Sequence, residues 1–124
     1  MNLIIGGAYQ GKTAYAAEKY GFTADDFFLC EDTHIDFTKP CIAHLERFVL
    51  ACVRQGVDCV KYMESCKPLW QDSTFLCGDL SCGIVPMEAE NRAWRNETGK
   101  LCHYLSGRAE SVVRVFCGLE QRLK

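Results

Sequence analysis

The chain has 124 residues, 48% of them hydrophobic and 24% charged, and its 14 basic and 16 acidic side chains give a net charge of −2. That length suits one compact domain spanning residues 1–124, and the balanced charge, without a basic run, excludes the electrostatic footprint of a nucleic-acid binder. No apolar stretch approaches a membrane span and residues 1–6 carry neither a basic leader nor an apolar signal core, so a cytoplasmic protein without a membrane span is expected.

Asn2, Leu3, Ile4 and Ile5 form a short β-rich run closed by Gly6, the expected first strand. The next stretch, Gly6-Gly7-Ala8-Tyr9-Gln10-Gly11-Lys12-Thr13, is too poor in bulk to build a core. It fits the pattern G-x-x-x-x-G-K-T in full. The alanine-rich residues 12–20 that follow read as a helix ended by Gly21. A strand before and a helix after are the context this Walker A pattern requires. Gly6, Gly7, Ala8, Tyr9, Gln10 and Gly11 then offer backbone N–H groups to an anion, and the positive end of the helix adds to them. Lys12 reaches the β- and γ-phosphates of ATP or GTP, and the Thr13 hydroxyl holds Mg²⁺.

Residues 27–30, after Asp25 and Asp26, read as a second strand. Thr38 is placed to cap a helix beginning near Pro40, because Ile42, Leu45, Val49, Cys52 and Val53 fall on one helical face before Gly56. A shorter helix is expected over residues 58–66, a third strand over 74–77 and a long helix over 89–105. Residues 111–117 make a fourth strand, and Gly118 turns the chain into a tail that pairs back as a hairpin. Strands alternating with helices predict an α/β fold of the P-loop NTPase kind: a mostly parallel sheet of about four strands, flanked by helices, with a small C-terminal hairpin.

Such a site needs a carboxylate at the end of another strand to organise the metal. Asp79 follows the third strand and is favoured with Thr13 for Mg²⁺. Glu31 and Asp32, after the second strand, are competitors and candidates for a general base. Arg92 and Arg95 are suited to bidentate phosphate contact, and Arg92 is taken as the candidate clamp on the transferred group.

The segment Gly83-Ile84-Val85-Pro86, then Glu90-Asn91-Arg92, Trp94-Arg95 and Gly99, and the last strand into Gly118, resemble the carboxyl half of the bifunctional adenosylcobinamide kinase/adenosylcobinamide-phosphate guanylyltransferase family. The Gly-Gly-Ala opening of the glycine loop is also typical of it. The resemblance covers the opening of the chain and its carboxyl part. It implies a kinase that phosphorylates the aminopropanol hydroxyl of adenosylcobinamide, a step of cobalamin biosynthesis, using ATP or GTP with Mg²⁺. In the full-length family a histidine also carries GMP to the product. The present chain is shorter there, and the family's pattern around that histidine is absent between Phe27 and Thr74. His34, beyond Glu31 and Asp32, and His44, read as midway along the amphipathic helix, are the weak candidates; His103 reads as packing or surface. The chain is therefore expected to be a kinase, with the full bifunctional enzyme or a non-catalytic nucleotide-binding paralogue as alternatives. A corrinoid is large for so short a chain, which points to a homo-oligomer with a shared pocket and to the terminal hairpin as its contact.

Nine cysteines, none in Cys-x-x-Cys, read as small buried residues in a reduced compartment rather than a disulfide framework. Trp70 and Trp94 are either base-stacking or core residues.

Overall fold

The computed structural model describes residues 1–7, 10–79 and 89–124. Six strands, β1 (Asn2–Gly6), β2 (Phe27–Leu29), β3 (Cys41–Ala43), β4 (Thr74–Gly78), β5 (Ser111–Phe116) and β6 (Leu119–Arg122), share one mixed sheet in the order β2-β3-β4-β1-β5-β6. The first five run parallel, and β6 pairs antiparallel with β5. Among the described residues, four α-helices flank the sheet: α1 (Lys12–Tyr20), α2 (Leu45–Gln55), α3 (Cys59–Ser65) and α4 (Ala89–Arg108).

Side chains alternate across the strands, so each strand feeds two cores. Leu3, Ile42, Phe75, Cys77 and Val112 point to one face, where α2, α3 and α4 contribute Leu45, Phe48, Val49, Cys52, Cys59, Met63, Leu101 and Leu105. Ile4, Cys41, Ala43, Leu76, Val113 and Val115 point to the other, covered by α1 through Ala16 with Tyr15, Tyr20, Phe22 and Phe27 around it. The apolar runs in β1 and β4 are what burial on both faces demands of a parallel sheet; β5, nearer the edge, is interrupted by the half-exposed Arg114.

The predicted α/β class and the positions of β1, α1, β2, α3, β4, α4, β5 and the terminal hairpin agree with the structure. The middle does not. The helix predicted from Pro40 is two elements: Cys41–Ala43 is a third parallel strand, so the sheet has six strands, and α2 begins only at Leu45. His44 separates them with φ 57° and ψ 43°, a left-handed conformation that no continuous helix contains. His44 is therefore the cap of α2 and not a residue midway along it. Thr38 caps no helix; its hydroxyl and backbone N–H both donate to the Asp36 carboxylate at 2.6 and 3.0 Å. The helical period misled because Ile42, Leu45, Val49 and Cys52 do share one core, the first from a strand and the rest from a helix. Among the described residues, no helix is long and apolar enough to cross a membrane.

Candidate functional site

A cavity of about 580 Å³ opens outside the carboxyl ends of β1, β3 and β4. This is the edge where open α/β sheets collect ligands, because the chain turns back over the sheet there and leaves a crevice. Residues from the glycine loop line one wall, Gln10, Gly11, Lys12, Thr13 and Ala14. His44, Glu46 and Arg47 from the start of α2, with Gly78, Asp79 and Trp94, line the rest.

The loop leaves β1 at Gly6, where a Cβ would stand 2.6 Å from the Val115 carbonyl oxygen; no larger residue fits between β1 and β5. The Gly6 carbonyl accepts the Asp79 N–H at 2.8 Å, which ties the loop to the end of β4. Lys12 folds back over the loop, and its ammonium donates to the carbonyls of Gly6 and Gly7 at 2.9 and 2.8 Å. α1 starts after Gly11, which has no side chain to cap the first N–H groups of the helix, and the exposed Thr13 stands in its first turn. Ala8 and Tyr9, two of the predicted nucleotide-binding residues, lie outside the described residues, as does the segment 80–88 that carries Gly83 to Pro86.

The loop is also held from the far end of the chain. Between β5 and β6, Cys117 and Gly118 both have positive φ, 51° and 75°, the backbone of a tight two-residue hairpin turn. The N–H of Gly118 donates to the Gln10 carbonyl at 2.9 Å, and the N–H of Cys117 to Gln10 Oε1 at 2.6 Å. One turn further along α1, the Tyr15 hydroxyl donates to the Glu120 carboxylate. The hairpin expected as a candidate contact with another subunit braces the loop of its own chain.

The opposite wall carries Glu46 and Asp79 beside His44 and Arg47. The left-handed turn at His44 brings Glu46, in the first turn of α2, against the end of β4. One Glu46 carboxylate oxygen accepts the Gly78 N–H at 2.8 Å, and the other lies 3.4 Å from His44 Nδ1. The approach depends on Gly78, since a Cβ there would stand 3.0 Å from Glu46 Cδ. Trp94 on α4 donates its indole N–H to the Glu46 carbonyl at 2.7 Å and so fixes the start of α2. The Glu46 side chain is 15% exposed and its charge is felt nearby: burial first, then Glu46 and Asp32, push the Cys30 thiol up to about 12.

The structure brings Gly11, Lys12, Thr13, Asp79 and the weak candidate His44 into this one cavity. Asp79 is largely shielded and lies 3.5 Å from the Arg114 guanidinium. Glu31 lines a smaller neighbouring cavity with Arg47 and Trp94, and Arg92 stands on the exposed side of α4. His34 is exposed, with its ring edge-on to Phe28 at 6.0 Å. Trp70 is core, donating to the Met63 carbonyl at 2.8 Å. Sequence reasoning did not single out Glu46 or Arg47, because the helix predicted from Pro40 runs through the turn at His44 that brings them to the cavity. The only signal for Glu46 is an acid shortly after the apolar Cys41-Ile42-Ala43 triplet.

Compared with known protein families and with curated proteins, the chain matches none.

Proposed function

We propose that this protein is a phosphotransferase that binds ATP or GTP at the glycine loop and phosphorylates the aminopropanol hydroxyl of adenosylcobinamide. The observation that carries the nucleotide half of this reading is the strand–glycine loop–helix unit, with Lys12 and Thr13 in one cavity with two carboxylates. Its volume of about 580 Å³ suits a nucleotide rather than a corrinoid. The corrinoid half rests on the resemblance of the carboxyl part, and a homo-oligomer would supply the surface such a substrate needs.

Lys12 would exchange its two loop carbonyls for phosphate oxygens, which lie closer to the charge it can neutralise. The loop N–H groups and the start of α1 bind and orient the phosphate chain. Thr13 with Asp79 or Glu46 offers hard oxygen donors, the set that suits Mg²⁺. Bound there, the metal would neutralise charge on the β- and γ-phosphates. Glu46 is placed to accept the proton of the attacking hydroxyl, a role otherwise given to Glu31 or Asp32. Arg47 lines the cavity and is, beside the predicted Arg92, a source of added positive charge.

The test is one reaction of protein, Mg²⁺, GTP or ATP, and adenosylcobinamide, with products identified by mass. A gain of one phosphate is expected. Bound nucleotide without any corrinoid product would overturn the kinase and leave a nucleotide-binding protein. A second reading has one observation in its favour: His44 shares the cavity with Lys12, where a nucleophilic imidazole could take a guanylyl group. Under that reading, guanosine-labelled GTP leaves label on the protein, and H44N abolishes it.

A further inference from the structure

Cys77 and Cys102 are not used by the reading above, and the fold places them together. Cys77 is fully buried near the end of β4, beside Ile5 of β1 in the sheet register. Cys102 lies on α4, partly exposed, with its Sγ 3.5 Å from the Cys77 Sγ. Cys102 also lines a cavity of about 500 Å³, separate from the glycine loop although Gly78 and Asp79 border both. Thr98, one helical turn before Cys102, lines the same cavity. Thr98 is 3% exposed, and its hydroxyl has no hydrogen-bond partner among the described residues, an uncommon state for a buried polar group. Arg95 and Arg114 complete a polar wall.

We propose that this cavity admits a small hydroperoxide, and that Cys102 and Cys77 react with it in turn to form a disulfide. The inference is independent of the phosphotransferase reading. The Cys102 thiolate attacks one oxygen of the O–O bond. That bond breaks, the other oxygen leaves with the proton the thiol released, and Cys102 becomes a sulfenic acid, oxidised by two electrons. The Cys77 sulfur then attacks the Cys102 sulfur. The S–O bond breaks, and the hydroxyl leaves as water with the Cys77 proton. Two thiols and one hydrogen peroxide thus give one disulfide and two waters. A turn of the Thr98 side chain would bring its buried hydroxyl to the peroxide as a donor, and Arg95, with the Arg114 that also pairs with Asp79, favours the departing hydroxide. The sulfurs must close from 3.5 Å to about 2.05 Å. Exposure orders the roles: Cys102 meets the cavity and Cys77 resolves from behind it.

The intact reduced protein is treated with one equivalent of hydrogen peroxide, alkylated, and mapped by peptide mass. A cross-linked pair of peptides carrying Cys77 and Cys102 is expected, reversed by a thiol reductant. In C77S, Cys102 stops at the sulfenic acid and is captured by a 1,3-dione. T98V slows closure by about fivefold, the equivalent of one ordinary hydrogen bond; an unchanged rate would overturn the cavity as the peroxide pocket. Wild-type protein in which Cys117, the exposed competitor, is oxidised while Cys77 and Cys102 are both recovered alkylated overturns the pair itself. That arm needs no variant to fold.

Discussion

The two walls of the main cavity are built by opposite means. The glycine-loop wall is mostly backbone: it leaves β1 at Gly6, is tied by main-chain bonds to Asp79 and Gly118, and carries one cation, Lys12, resting on its own carbonyls. The β3–α2 wall is mostly side chain: a single left-handed residue, His44, swings Glu46 onto Gly78. A backbone wall tolerates loss of a side chain structurally and suffers only in binding. A side-chain wall loses structure and chemistry together. The comparison therefore separates binding from stability, and each wall can be broken on its own.

The largest effect is expected on the backbone wall. K12A should weaken nucleotide binding about 100-fold, the scale of a charge-assisted phosphate contact, while leaving the unfolding midpoint almost unmoved; titration with a fluorescent nucleotide and a denaturant melt read the two. On the side-chain wall, E46A leaves the Gly78 N–H without its acceptor and should cost about 2 kcal/mol of stability in urea unfolding. E46Q keeps an acceptor, so it should retain that stability yet lose turnover with the corrinoid; full turnover in E46Q would deny Glu46 a chemical role.

Smaller changes sharpen the same contrast. G78A pushes a methyl toward Glu46 and should cost about 1 kcal/mol, with turnover falling more than nucleotide affinity. H44G removes a side chain from a left-handed position and should raise stability by about 0.5–1 kcal/mol in the same melt. If H44G also loses guanylyl label, the histidine acts chemically as well as at the turn. The smallest effect belongs to the brace on α1: Y15F should cost about 0.5 kcal/mol, since the Tyr15–Glu120 contact is exposed.

The backbone wall was legible because its specification is local. Gly6, Gly11, Lys12 and Thr13 have fixed spacing, and strand and helix periods on either side agree with it. The other wall depends on β3, three residues long and buried throughout. A run that short carries no period of its own, and Ile42 happened to continue the helical period of Leu45, Val49 and Cys52. Nothing at His44 announces a left-handed turn as glycine would, although histidine is among the residues that tolerate one. Glu46 was hidden for the same reason. The connection from β2 to β3, residues 30–40, has no helix; Ile35 buries itself in the main core there, so the usual strand–helix–strand rhythm is absent. Cysteine was read correctly as a core residue at Cys30, Cys41, Cys52, Cys59 and Cys77, but spacing along the chain could not reveal that Cys77 and Cys102 meet.

The turn at Cys117 and Gly118 sets an order of events during synthesis. Cys117 and the Gln10 side chain it grips are 107 positions apart. At ordinary elongation rates a ribosome needs roughly 5–20 s to cover that distance. Throughout that interval the nascent loop has its glycines and its lysine but not the turn that braces them. A message cut short before Cys117 would encode the whole motif and still release a loop lacking that support.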